Sequence, residues 1–597
     1  MSRGHGQLRQ SQVITTYGPG ALIDLPDHAA IVAGLETWPS TSNLDEIVDP
    51  RMTSLLQAIT DVESPRMFAP PPQPAEPWVT GRGIGAWTFP EWFVVQESES
   101  DDDTDNSRSR RLVHRKSLDE KNRFDGESVV PTRFVRACPR GHVDDLDWVG
   151  FVHRDGQRCP RRLRLVERGT SGDLADLVVR CDCNQSRRLY EAAEIDQRPL
   201  GTCRGKRPWL GLDTDEECDH PSRLLIRTAS NAYFAQVVSV LSLPDRGSAV
   251  ERAVRDLWGD LSIVDSPTEL AFIKKKPHVT ERLAPFSDDE ILKTIEQTKR
   301  GHSTERSVKE AELEALLAAP EGYGDDVPVD PNFHARRLPE TAWRKAGSNV
   351  SGGIGAVVQL HRLREVQALV GFTRLEAEMR DIHGQYSTDV ERADISVEPR
   401  WFPAVENRGE GLFVHLNRTE VEAWLTRPTV QERLEALRQQ HETWQRDRRR
   451  ERPFPGGPYI MLHTLAHLLI GSLAMRCGYP ASSIRERVYV ENGEFGLLLY
   501  TGTPDAEGTL GGLVQQARHI DDHLAHALDT GLLCSNDPIC AQHAASEGLE
   551  GRWLHGAACH GCALIAETSC EMRNDYLDRA LVVPVLGLTD AAYFREP

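Results

Sequence analysis

Long apolar runs are missing from this 597-residue sequence. No stretch reaches about 18 consecutive apolar residues, so a membrane-spanning helix is not expected. The opening residues MSRGHGQLRQSQVITTYGPG hold no apolar core of signal-peptide type. A cytoplasmic setting is therefore expected, where thiols stay reduced and free to ligate metal. No Gly-x4-Gly-Lys-Ser/Thr motif occurs, which argues against ATP hydrolysis through a P-loop. Gly352-Gly353-Ile354-Gly355 is too short and poorly placed for a dinucleotide fingerprint. His463-Thr-Leu-Ala-His467 sets two histidines one helical turn apart, but Thr464 stands where a zinc protease carries its glutamate base. They read as a metal or polar site, or as core histidines bonding across an interface. Ser230 lacks the G-x-S-x-G setting of a hydrolase nucleophile. No internal repeat at a fixed period is visible.

The charge is one-sided on average and mixed locally. A net charge of −20 argues against a chain that coats nucleic acid over its whole surface. Residues 131–210 differ, with sixteen Lys and Arg against eleven Asp and Glu. Arg154, Arg158, Arg161, Arg162, Arg164 and Arg168 crowd around Cys159 and form a candidate phosphate-binding patch. The run Arg446 to Arg452 ends a long helix and reads as a solvated face.

Composition divides the chain into five segments. Residues 1–129 contain a Pro-rich stretch (SPRMFAPPPQPAEPW) and a polar segment, 97–126, expected as a mobile loop. Residues 130–248 form a Cys-rich, zinc-ribbon-like domain, with Leu224 to Pro244 expected as buried helix. Residues 249–350 are a charged helical insert. In 351–454 the run AVVQLHRLREVQALVGFTRLEAEM reads as helix or strand plus helix, and two helices follow, broken at Pro428. Residues 455–597 are α/β, with a long apolar helix (YIMLHTLAHLLIGSLAMRCG), two strands and a further helix. The expected class is α+β and multidomain: an N-terminal β-rich zinc-ribbon-like region, a central helical region, and a C-terminal α/β domain with a four-cysteine zinc site.

Eleven of the twelve cysteines fall into two clusters, and only Cys477 stands alone. Short thiol spacings of this kind hold structural zinc, so one or two zinc ions are expected. In the C-terminal cluster, Cys559-His-Gly-Cys562 presents two thiolates from one turn. The expected ligands are Cys540, Cys559, Cys562 and Cys570, with Cys534 as the spare and His543 or His560 as alternatives. In the N-terminal cluster the expected four are Cys138, Cys159, Cys181 and Cys183. Cys203 and Cys218 are a possible second pair with His220 as helper, and His142 could replace a cysteine or pack on Trp148. Thiolate-dominated sites are structural rather than catalytic. Asp144, Asp145 and Asp147 form the one short carboxylate group near a metal motif, and carry the alternative reading, an independent metal-dependent nuclease or hydrolase.

The pieces SQVITTYGPGALIDL, ACPRGHVDDLDW, RPWLG, RTASNAYF, LHTLAHLLI and GAACHGCALIAETSCEMRNDYLDRALVV together resemble the DrmB family of bacterial DISARM anti-phage systems. The resemblance implies a C-terminal zinc-binding domain similar to that of MrfA-type repair helicases. Its four-cysteine site is implied at Cys540, Cys559, Cys562 and Cys570. It also implies a non-motor subunit that works with a helicase-like ATPase, DrmA, and binds DNA, with other DISARM subunits as further partners, no membrane and no catalytic residues. The arginines expected at DNA are Arg158, Arg161, Arg162, Arg164 and Arg168.

Overall fold

The computed structural model describes residues 8–25, 28–72, 83–96, 107–154, 159–169, 173–194, 197–211, 214–243, 250, 253, 254, 256–299, 307–322, 330–346, 348, 350–378, 380–384, 391–448, 451–502, 512–543 and 554–595. The chain is a mixture of helices and antiparallel sheets. It divides into two compact units: residues 1–240, 366–379 and 386–407, and residues 241–365, 380–385 and 408–597. These borders cut across the five linear segments, because the strands Ile354–Thr373 and Trp401–Leu416 each begin in one unit and end in the other.

The first unit is β-rich. Its seven-stranded sheet runs in the order Ser186–Arg188, Leu177–Cys181, Leu163–Arg168, Ser107–His114, Trp92–Val95, Glu127–Pro131, Arg123–Phe124. Part of the expected mobile loop is thus strand from Ser107 onward, while residues 97–106 lie outside the described residues. The charge-dense strand is held because Leu112 enters the core and Arg110 pairs across the ladder with Glu167 at 3.0 Å. Leu112, Leu163, Leu165, Leu177 and Val179 pack on one face with Phe134, Trp148 and Phe151. A three-stranded sheet, Val143–Asp145, Phe134–Ala137, Arg223–Ile226, ends at Cys138. The short helix Trp148–Val152, capped by the Asp147 carboxylate on the Gly150 amide, delivers His153.

The expected helix over Leu224 to Pro244 fails, and of the helix and strand alternatives open for the run after residue 354 the strand holds, on the same ground. Leu224 to Pro244 supplies the strands Arg223–Ile226 and Phe234–Leu241, joined through a 3-10 turn at Ser230–Ala232. Residues 354–373 are one continuous strand. Both runs are rich in valine, whose branched Cβ favours the pleated surface, and an apolar run buried on both faces has no period to read.

In the second unit the helix Gly457–Cys477 is long and apolar enough to cross a bilayer. It is instead the core helix of this unit, with Ile460, Leu462, Leu465, Ala466 and Leu469 buried on every side. The hairpin Ile484–Glu491 and Glu494–Thr501 covers it. Its two-residue turn, Asn492-Gly493, has both φ angles positive (53° and 76°), which is why a β-branched residue could not stand there. The helix Ile520–Leu532 packs on the core helix. Helices Pro267–Ile273, Pro277–Leu283 and Asp288–Lys299 gather a small separate core around Leu270, Val279 and Ile291.

Candidate metal centres

Among the described residues, four groups of side chains bring four donor atoms each within 4.8 Å of one another. Bond lengths of about 2.0–2.3 Å to a tetrahedral zinc correspond to ligand-to-ligand edges of roughly 3.3–3.8 Å.

Cys534, Cys540, Cys559 and Cys562 form the all-thiol group. Their sulfur separations are 3.4 Å (Cys534 to Cys559) and 3.7 Å (Cys540 to Cys562, and Cys559 to Cys562). Two knuckles build it. The Asn536 amide donates to Cys534 Sγ at 3.4 Å, and the Gly561 amide to Cys559 Sγ at 3.3 Å. Such N–H donors stabilise thiolates. Burial works against ionisation at Cys559, but hydrogen bonds from Asn536 and Cys534 bring its thiol down to about 7. The Arg579 guanidinium bonds to Asp537 beside this group and donates to the Gly531 carbonyl. The spare of the sequence reading, Cys534, is therefore a member. Cys570 is not, and lies with His463, His467 and Glu486. His543 stacks near His555, at 5.2 Å between ring centres, and neither His543 nor His560 is among these donors.

The expected N-terminal set splits in two. Cys138 joins Cys203, Cys218 and His142. His142 Nδ1 faces Cys138 Sγ at 3.4 Å and Cys203 Sγ at 3.5 Å, while Cys138 and Cys218 are 3.9 Å apart. The far ring nitrogen, Nε2, then carries the proton and donates to Glu216 Oε1 at 2.6 Å. Glu216 is itself held by Arg207 at 3.2 Å. A tight turn, with Gly141 at φ 98°, folds Cys138 back toward His142. The hydrogen bond from Cys138, opposed by burial and helped by His142, pulls the Cys203 thiol down to about 4.

Cys159, Cys181 and Cys183 gain His153, which the sequence reading missed. Its Nε2 lies 3.2 Å from Cys183 Sγ, and Nδ1 donates to the Val149 carbonyl at 2.8 Å, fixing the tautomer that leaves Nε2 free to ligate. The Gln185 amide and His153 lower the Cys183 thiol to about 6. The available signal was an Asp-capped apolar turn ending in histidine six residues before Cys159. His220, the expected helper, pairs instead with Glu391 at 2.7 Å.

Two comparisons bear on these groups. Residues 465–563 match the family model described as "MrfA Zn-binding domain", and residues 9–234 match "Domain of unknown function (DUF8724)". The DISARM protein DrmB of Bacillus paralicheniformis is 31% identical over 483 residues, covering 78% of this chain and 82% of that protein. The chain belongs to the DrmB family. All four thiols of the Cys534–Cys562 group fall inside the zinc-binding family model, and Cys570 falls outside it. The chemistry of that group fits zinc, which would tie the two knuckles together.

The DrmB-family chain also carries an ordered basic face. Arg111, Arg164 and Arg180 are in register across three adjacent strands, on the side of the sheet opposite the apolar core. Arg162, Arg168 and Arg188 are exposed on the same face beside the row, with Arg188 opposite Val178 and Ser186 opposite Arg180. Of the sequence candidates, Arg161 is exposed, Arg164 is paired with Asp182 at 3.2 Å, and Arg158 lies outside the described residues. Arg111 and Arg180 were missed because they join the patch only through strand pairing. The carboxylate trio is engaged elsewhere. Asp144 pairs with Arg136, Asp147 caps its helix, and Asp145 accepts the Glu91 amide at 3.0 Å. Burial pushes Asp145 up to about 7.

Proposed function

We propose that this protein is a zinc-stabilised, non-motor subunit of a DISARM anti-phage complex, acting in the cytoplasm beside a helicase-like ATPase (DrmA). In this reading it holds DNA through the arginine row of its seven-stranded sheet. Family membership supports the defence role. The observation that carries the DNA contact is the register Arg111–Arg164–Arg180 across neighbouring strands, with exposed Arg162, Arg168 and Arg188 on the same face. Strands are roughly 4.8 Å apart, so such a row lays a line of charge suited to a phosphate backbone and indifferent to base sequence. Three structural zinc ions, one in each thiol-rich group, fix the surrounding loops. The paired and capping roles of Asp144, Asp145 and Asp147 give a nuclease reading no support.

The test is the salt dependence of duplex binding by the full chain together with its ATPase partner. R162Q/R180Q/R188Q changes three exposed residues and is expected to fold normally. It should weaken binding and flatten the plot of log K against log salt by about 0.9 for each phosphate that is no longer neutralised. An unchanged slope, or a partner whose DNA affinity and ATPase rate are the same with and without this chain, defeats the reading.

A further inference from the structure

The second unit holds a donor cluster in its apolar core that is separate from the thiol knuckles; His467 and Glu486 fall inside the matched zinc-binding span, His463 and Cys570 outside it. His463 and His467 come from consecutive turns of the helix Gly457–Cys477, Glu486 from the strand Ile484–Glu491, and Cys570 from the C-terminal segment. All four are buried, and the side chains of His463, His467 and Glu486 have no exposure.

Three features distinguish this cluster from an ordinary buried hydrogen-bond network. Both rings are locked from behind. His463 Nδ1 donates to the Tyr576 carbonyl at 3.2 Å, and His467 Nδ1 donates to the Ala563 carbonyl at 2.7 Å. The two Nε2 atoms therefore present lone pairs, and both aim at one atom, Glu486 Oε1, at 3.0 and 3.3 Å. Neutral imidazole lone pairs pointed at a carboxylate oxygen repel unless a cation lies between them. Next, Cys570 Sγ lies 3.1 Å from His463 Nε2 and accepts backbone N–H groups from Met572 at 3.3 Å and Asn574 at 3.1 Å. That is the arrangement which supports a thiolate at the Cys534 and Cys559 knuckles. Finally, Glu486 Oε2 is buried without a hydrogen-bond partner, an expensive omission in a core unless a metal ion receives it.

We propose that His463, His467, Glu486 and Cys570 hold a fourth metal ion, a structural zinc, inside the core of the second unit. Two neutral imidazoles, one carboxylate and one thiolate around a divalent ion make a set with no net charge. That is the form of charged cluster a low-dielectric interior accommodates at least cost. Four protein donors close the coordination sphere, so the site has a folding role and no open position for substrate. It would bolt the core helix to the hairpin and to the C-terminal segment, elements separated by up to about a hundred residues of chain.

A crystal of the full-length wild-type chain, measured on both sides of the zinc absorption edge, tests this without any variant. An anomalous peak among His463 Nε2, His467 Nε2, Glu486 and Cys570 Sγ is expected, separate from the peak among Cys534, Cys540, Cys559 and Cys562. A peak at the four thiols with none at the histidine cluster overturns the proposal and leaves the thiol sites standing. In parallel, zinc content by mass spectrometry should fall by one equivalent per chain in H467N, while C562S loses a different equivalent. A folded H467N chain with the wild-type zinc count also overturns it.

Discussion

Single residues decide which thiols share an ion. Sequence spacing put Cys570 with Cys559 and Cys562, yet Cys534 takes that place: its sulfur lies 3.4 Å from Cys559 Sγ, while Cys570 Sγ faces His463 Nε2 at 3.1 Å. Spacing reports which cysteines can meet. Which of them do meet depends on turn geometry that no spacing rule encodes. The histidines divide: His142 was legible as a possible replacement for a cysteine, whereas His153 becomes a ligand candidate only when the Val149 carbonyl fixes its opposite ring nitrogen. Glu216 is the sharpest example. It touches no sulfur, but it orients His142 and strengthens its donor nitrogen. E216Q keeps the shape and removes the charge, so the zinc held at Cys138, Cys203 and Cys218 should bind about 10–100-fold more weakly. Competition with a chromophoric chelator reads this directly, and the other sites in the same sample serve as internal controls. Release of all zinc at the wild-type rate would mean that Glu216 contributes only packing.

At the scale of elements, the amphipathic and capped pieces were readable and the doubly buried strands were not. The helices on either side of Pro428 and the 484–501 hairpin carry a period or a turn signal, and the core helix, buried on every side, is legible by the length of its apolar run. The strand Ile354–Thr373 carries neither, which is why helix and strand both stayed open there, and several of its polar residues are buried. One of them, Glu365, belongs to a network that joins strand, hairpin and helix. Arg487 contacts Glu312 at 2.6 Å and Glu365 at 3.4 Å, Arg485 contacts Glu365 at 2.7 Å, and the Tyr489 and Tyr500 hydroxyls donate to Glu312 and Glu365. The Glu312 side chain is fully buried and that of Arg487 is 4% exposed. Such a network adds little over a well-packed apolar core, but removing one partner strands a buried charge. E312A is expected to cost about 3–5 kcal/mol, seen as a lower midpoint of chemical denaturation. E312A/R487M should recover much of the loss. A double variant no more stable than E312A would show that packing, not the stranded charge, sets the cost.

For the whole molecule, thiol-rich donor groups stand where the apolar core is thinnest. Residues 197–222 contain no α-helix or strand among those described, only the bridge between Thr202 and Pro221. Few of their side chains are buried, Trp209 being the main anchor. What returns this stretch to the sheet is Cys203 and Cys218 meeting Cys138 and His142 across more than sixty residues of chain. The second unit instead has an extensive apolar cluster around its central helix. Because free energy of metal binding is free energy of folding where no core can substitute, chelation should open the two units unequally. With a strong zinc chelator, trypsin is expected to cut first at Arg204 and Lys206, since Pro199 and Pro208 protect the bonds after Arg198 and Arg207. The helix Gly457–Cys477, with its trypsin site Arg476 near one end, should survive longer. Restoring zinc before protease should restore protection. If chelated and zinc-loaded chains are cut at the same sites at the same rates, the thiols of the first unit are not what holds it closed. If the 457–477 region opens first, the metal in the second unit carries more of that unit's stability than its apolar core does.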